Sequence, residues 1–224
     1  PYVKTNFWVI IFFVGILALL VMVYQIRLIV LDRLFVYFPT KEASYDYSQL
    51  TEKYEEIFFE TGDGLILHGV FLEGESNLTV ILFHGNAGNL DNRIDKLNSI
   101  GNMDVNFLII AWRGYSGNPG KPSEEGLYKD ALGGIKWLNE KGISNDQIVL
   151  YGESLGTAIA TEVGQNNNFA GIILEAPFTS MVDMGQKIYP IFPVKFLLKD
   201  KYETKKKIHN IKYPILIMHG KKDK

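Results

Sequence analysis

The chain has 224 residues with 23 basic and 25 acidic side chains, enough for one sizeable core and without a global field that would draw nucleic acid or a strongly acidic partner. It contains no cysteine, which excludes disulfides, thiolate metal sites and cysteine nucleophiles together. One domain with a small appendage is the expectation, with no nucleic-acid partner.

Residues 7–24 are apolar, without a charge or a strongly polar side chain, and Ile26 with a snorkelling Arg27 extends the run. That approaches the roughly 20 residues an α-helix needs to cross a bilayer. The run is longer than the core of a cleaved leader, no small-x-small cleavage site follows it, and it is apolar on every face, unlike a buried core helix. A transmembrane anchor over 7–27 is therefore expected. Lys4 precedes it and Arg27, Arg33 and Lys41 follow it, which leans towards a cytoplasmic catalytic domain.

Residues 28–50 read as a connector, and the folded unit is expected over 51–224. Strand, glycine-rich turn and strand at 57–61, Gly62-Asp63-Gly64 and 65–71 predict a hairpin. Apolar strands at 79–83, 105–111, 147–151, 171–174 and 215–218 then alternate with helical stretches at 89–100, 124–141 and 155–165. Near-continuous apolar strands separated by amphipathic helices predict a mostly parallel sheet with helices on both faces. Ser123 reads as the N-cap of the middle helix, with Glu124 and Glu125 in its first turn. Residues 178–210, with Pro190, Pro193 and Lys205-Lys206-Lys207, read as a small cap after the sixth strand.

In such a sheet, ligands sit beyond the carboxyl ends of the strands. The strand at 147–151 runs into Gly152-Glu153-Ser154-Leu155-Gly156, and a helix follows. This G-x-S-x-G pattern in a strand-turn-helix setting lifts one serine hydroxyl clear of the sheet above a helix N-terminus. After the strand ending at Phe83 comes His84-Gly85-Asn86-Ala87-Gly88-Asn89. Its backbone N–H groups, with that of Leu155, could hold the negative oxygen of a tetrahedral intermediate. The alternative is a plain strand-to-helix turn. His84 heads this loop and reads as structural.

The loop after residues 215–218 carries Asp223, which suits the carboxylate behind a catalytic imidazole; Glu175, at the end of the preceding strand, is the competitor. A histidine is then expected after Asp223, and only Lys224 remains. His68, His84, His209 and His219 substitute poorly. The catalytic histidine is thus expected outside the supplied sequence, with the final strand and helix, in a chain that reads as cut at both ends. Residues 114–122 lack phosphate-loop spacing, and no cluster has metal-ligand spacing. No metal or cofactor is called for.

Five segments carry a family resemblance: Phe83-His84-Gly85-Asn86-Ala87-Gly88-Asn89; Trp112-Arg113-Gly114-Tyr115-Ser116-Gly117 with residues 121–127; Tyr151-Gly152-Glu153-Ser154-Leu155-Gly156; Glu175-Ala176-Pro177-Phe178-Thr179-Ser180; and Met218-His219-Gly220-Lys221-Lys222-Asp223. From about Glu55 to Asp223 the chain resembles the membrane-anchored α/β-hydrolases related to fungal bud-emergence proteins and animal abhydrolase-domain proteins. The resemblance implies an α/β-hydrolase fold and a serine hydrolase, with Ser154 as nucleophile, Asp223 as acid and oxyanion donors at Asn86 and Leu155. Members are described as esterases, lipases, thioesterases or depalmitoylases. The expected activity is cleavage of carboxylic esters or thioesters through an acyl-serine, on a small-molecule or lipid acyl substrate. The alternatives are a peptidase or amidase of the same fold and a non-catalytic membrane scaffold.

Overall fold

The computed structural model describes residues 2–40, 47, 49–50, 53–101, 103–165 and 167–221. Helix α1 (Tyr2–Phe35) leads into β1 (Phe38–Pro39), and the hairpin strands β2 (Tyr54–Glu60) and β3 (Ile66–Leu72) follow. Next come β4 (Thr79–Phe83), the two-residue β5 (Ala87–Gly88), α2 (Ile94–Gly101) and β6 (Asn106–Ile110). Then α3 (Glu124–Glu140), β7 (Ile148–Glu153), α4 (Leu155–Gly164) and β8 (Gly171–Glu175) alternate. Short helices α5 (Met181–Ile188), α6 (Val194–Leu197) and α7 (Thr204–Lys207) precede β9 (Ile215–Met218).

Among the described residues, seven strands form one sheet in the order β2-β3-β6-β4-β7-β8-β9, and β1 pairs with β5. β3 runs antiparallel to β2 and β6, and the pairs from β6 to β9 are parallel. Alternation along the strands fills both faces. Ile81, Phe83, Leu108 and Ile110 join a core with Leu127 and Ile135 of α3 and Ile159 of α4, whereas Leu82, Phe107 and Ile109 pack with Leu90 and Leu97 on the opposite face. Each such side chain contributes about 1.5–3 kcal/mol on burial. A strand buried on both sides must be apolar throughout, which is why these runs show no polar alternation. β9 lies at the sheet edge with Ile215, Leu216, Ile217 and Met218 exposed.

The Ser123 cap forms as expected, its hydroxyl accepting from the Gly126 amide at 3.2 Å. Residues 89–100 differ in detail, opening with a 3-10 turn over Asp91–Arg93 before α2 begins. Helix α1 runs well past the apolar stretch to Phe35. Its carboxyl end is held by Asp32, which accepts the amides of Lys199 at 3.1 Å and Asp200 at 3.2 Å. The span Phe7–Asp32 is long and apolar enough to cross a membrane by length and composition, and side chains 7–26 are exposed.

The loop after β6 is fastened by Arg113. Its guanidinium makes paired hydrogen bonds to Asp63 in the hairpin turn, both at 2.9 Å, and donates to Asp130 of α3 at 2.8 Å. Burial pushes the Asp130 carboxyl up to about 6 against the pull of Arg113, whereas Arg113 holds Asp63 well below the usual carboxylate range. Removing one partner of a buried ion pair strands the other charge. Arg113→Met should therefore cost about 3–5 kcal/mol. The Arg113→Met/Asp130→Leu double variant should recover part of that loss, as read from urea unfolding.

Candidate active site

β7 ends at Glu153, Ser154 makes the turn, and α4 begins at Leu155. Ser154 has φ 51° and ψ −113°, a conformation that costs a non-glycine residue about 1–3 kcal/mol. The turn is held from both sides. The Ser154 amide donates to the Glu175 carbonyl at 2.9 Å, and the Ser154 carbonyl accepts from the Thr157 amide at 3.0 Å and the Thr157 hydroxyl at 2.6 Å. The flanking glycines permit the close approach. A Cβ on Gly156 would stand 1.7 Å from the Phe83 carbonyl oxygen, and one on Gly152 would stand 2.5 Å from the Gly156 carbonyl oxygen. Ser154 itself is partly exposed while Leu155 is buried.

The loop after β4 passes directly beside this turn, since a Cβ on Gly85 would lie 3.5 Å from the Ser154 Cβ. It is pinned along its length. The Asn86 side-chain amide donates to the Val36 carbonyl at 3.0 Å, and the Asn86 carbonyl accepts from the Phe38 amide at 3.0 Å and the Tyr115 hydroxyl at 2.9 Å. Arg93, nearly buried, donates to the carbonyls of Asn89 at 2.7 Å and Ala87 at 3.0 Å. Residues 36–39, read from sequence as connector, thus lie against the loop, and β1 pairs with β5.

Ser154, Leu155 and the Gly85-Asn86 turn therefore come together. Asp223 lies outside the described residues; β9, which precedes it, is separated from β7 by β8. His84 is fully buried, its ring tilted against Trp112 and edge-on to Tyr115, with Nδ1 2.7 Å from the Gly85 carbonyl. Burial and the neighbouring Arg93 charge hold its pKa well below the ordinary value, so it packs the loop as a neutral ring. His68 sits on β3, with β6 and β4 between it and β7. His209 and His219 are exposed.

Glu175 is engaged in a cluster that sequence reasoning missed. Lys96 of α2 bridges Glu153 Oε2 at 2.5 Å and Glu175 Oε2 at 2.7 Å, the Tyr151 hydroxyl donates to Glu175 at 2.6 Å, and Arg93 approaches Glu153 at 3.8 Å. What calls for it shows only in the sheet register. Glu153 and Glu175 are partners in register on adjacent parallel strands, and two facing carboxylates require a cation. Burial lowers the Lys96 pKa, but its bonds to both carboxylates outweigh this and leave it raised. Burial raises Glu175, and the bonds from Lys96 and Tyr151 reverse that to leave it below its ordinary value.

A depressed carboxyl contributes stability that is present above its unfolded pKa and is lost as pH falls through the folded one. Lys96→Met should therefore lower the melting temperature most at neutral pH. The gap to wild type should narrow below pH 4.5, the ordinary value for Glu175, in thermal melts across pH 3–8.

No protein-family model matches the chain. It is 32% identical over 196 residues to an uncharacterized protein of Mycobacterium tuberculosis, an alignment covering 86% of this chain and 70% of that protein. It is 32% identical over 182 residues to protein bem46 of Schizosaccharomyces pombe, covering 76% of this chain and 61% of that one. It is also 30% identical over 190 residues to the alpha/beta hydrolase domain-containing protein WAV2 of Arabidopsis thaliana, covering 76% and 62%. Among solved structures, the esterase Pf2001 of Pyrococcus furiosus superposes with a TM-score of 0.62 at 20% identity, over 80% of this chain and 76% of that one. An alpha-beta hydrolase of Vibrio vulnificus superposes with the same TM-score at 23% identity, over 73% and 62%. With the strand order and the strained turn after β7, these similarities place the chain in the α/β-hydrolase family.

Proposed function

We propose that the protein is a membrane-anchored serine hydrolase that cleaves carboxylic esters or thioesters through an acyl-serine. The observation that carries this reading is the strained, partly exposed Ser154 held against the Gly85-Asn86 loop. A positive φ at the strand-to-helix turn is what lifts such a hydroxyl clear of the sheet. In this reading the Ser154 oxygen attacks the acyl carbon, and a histidine takes its proton. Asp223 orients that histidine. The amides of Asn86 and Leu155 face the oxygen that becomes negative, at the N-terminus of α4. The alcohol or thiol leaves with the proton returned from the imidazole, and water then releases the acid by the same steps.

Neutral His84 and the salt-bridged Glu175 support assigning base and acid elsewhere, because one is fully buried against Trp112 and Tyr115 and the other is committed to Lys96 and Tyr151. Helix α1 serves as the anchor, with the basic residues after the span favouring a cytoplasmic domain. An exposed apolar surface beside α1 favours an acyl group of lipid type.

A fluorophosphonate probe tests the nucleophile directly. The full-length protein should be labelled at Ser154 and should turn over p-nitrophenyl esters. Ser154→Ala should abolish labelling and reduce turnover by more than roughly 10⁴-fold. A folded full-length protein that takes no label would overturn the enzymatic reading in favour of a scaffold, and cleavage of peptides without ester turnover would favour an amidase.

A further inference from the structure

The cap region between β8 and β9 turns its apolar side outward. Val194 and Leu198 are buried, and Gly185 of α5 sits so close to Val194 that a Cβ there would meet it at 2.8 Å. With that small core satisfied, Ile188, Ile191, Phe192 and Phe196 still stand between 58% and 93% exposed. A cluster of large apolar side chains standing in solvent is costly and marks a contact surface.

Three contacts fix where this surface lies along α1. Lys199 and Asp200 donate their amides to Asp32, Tyr189 meets Phe35 edge-on with ring centroids 6.0 Å apart, and the Tyr24 hydroxyl donates to the Phe196 carbonyl at 2.7 Å. The cap therefore lies along the last three turns of α1, with Phe196 on the side of the apolar span. Tyr24 closes the uncharged run of 18 residues that begins at Phe7, and the 17 helical steps between them rise about 26 Å. A tyrosine at that height in a spanning helix belongs to the boundary between acyl chains and headgroups. Its hydrogen bond holds Phe196 at the same level.

The charges agree with that placement. Between Asp183 and Asp200 the sequence has no acidic residue and three lysines, Lys187, Lys195 and Lys199, all exposed. Apolar side chains flanked by lysines suit the boundary of an anionic leaflet.

We infer that the cap surface formed by Ile188, Ile191, Phe192 and Phe196 docks into the leaflet that α1 enters, with Lys187, Lys195 and Lys199 against anionic headgroups. The inference rests on the reading of α1 as a membrane span. Docking holds the cap, which begins at the end of the sheet that carries Ser154, against the lipid.

The test uses the absence of cysteine in this chain. Ile191→Cys, Leu17→Cys and Glu140→Cys each introduce one thiol, at the cap, in α1 and on an exposed site of α3. Each is labelled with a fluorophore whose emission shifts to the blue in an apolar medium, in protein reconstituted in phosphatidylcholine vesicles containing phosphatidylglycerol. Nitroxide-bearing lipids then serve as quenchers. The labels at positions 191 and 17 should both shift to the blue and lose emission to the lipid nitroxide, while the label at 140 should not. If position 17 is quenched and position 191 behaves like 140, the docking inference falls and the anchor stands. If position 17 is not quenched, the anchor reading falls and the inference with it. A label at 191 shielded from aqueous iodide but unreached by the lipid quencher shows a protein covering the surface, such as a second copy, and also overturns the inference.

Discussion

The approach of α4 to the end of β4 is the constraint on which the site depends. Gly156 brings the helix so close to the Phe83 carbonyl that no side chain fits between them. That contact leaves no room for an ordinary strand-to-helix connection, and the single residue between β7 and α4 must take a positive φ. The strain of about 1–3 kcal/mol is offset by the hydrogen bonds on both sides of Ser154, each contributing about 0.5–1.5 kcal/mol net. The turn is therefore stable as a unit. Loosening either glycine would let Ser154 relax into the sheet and would move the Phe83 end of β4, from which the Gly85-Asn86 loop departs.

Much of this architecture was legible in the sequence because its signals are local. The runs at 79–83 and 215–218 match β4 and β9 residue for residue, and β4, buried on both faces, has to be apolar almost throughout. The Ser123 cap and the glycines around Ser154 were equally readable, each being set by a few adjacent residues. What escaped depends on contacts across the fold. The length of α1 past its apolar run is set by the amides of Lys199 and Asp200, more than 160 positions away. The pairing of β1 with β5 joins two dipeptides with no strand pattern of their own. Lys96 carries no mark in sequence as the counterion of Glu153 and Glu175, because its role exists only once α2 lies over β7 and β8.

The outward apolar side of the cap follows from the same division between local and distant constraints. Residues 188–196 carry two prolines and no regular period, so sequence reading marks them only as a break in the sheet pattern. Their meaning comes from Tyr24, Asp32 and Phe35, which tie them to α1. If α1 spans the membrane as proposed, lipid covers the apolar surfaces that the helix and the cap both leave exposed.

Electrostatics around the proposed nucleophile decide what the backbone can contribute there. Glu153 and Glu175 reach the same ammonium group at 2.5 and 2.7 Å, so their oxygens are no more than about 5 Å apart. At an effective dielectric of about 20 their repulsion is about 3 kcal/mol. Glu153 also stands next to Ser154 in the chain, where a bare carboxylate would oppose any negative charge developing on a bound substrate. Lys96 and Arg93 bring two positive charges to these two negative ones. The local sum is zero. With the carboxylates neutralised, the directed dipoles that the proposed reaction would have for its oxyanion are the backbone amides at the start of α4 and in the Gly85-Asn86 loop, and the charged cluster would serve that chemistry by cancelling itself.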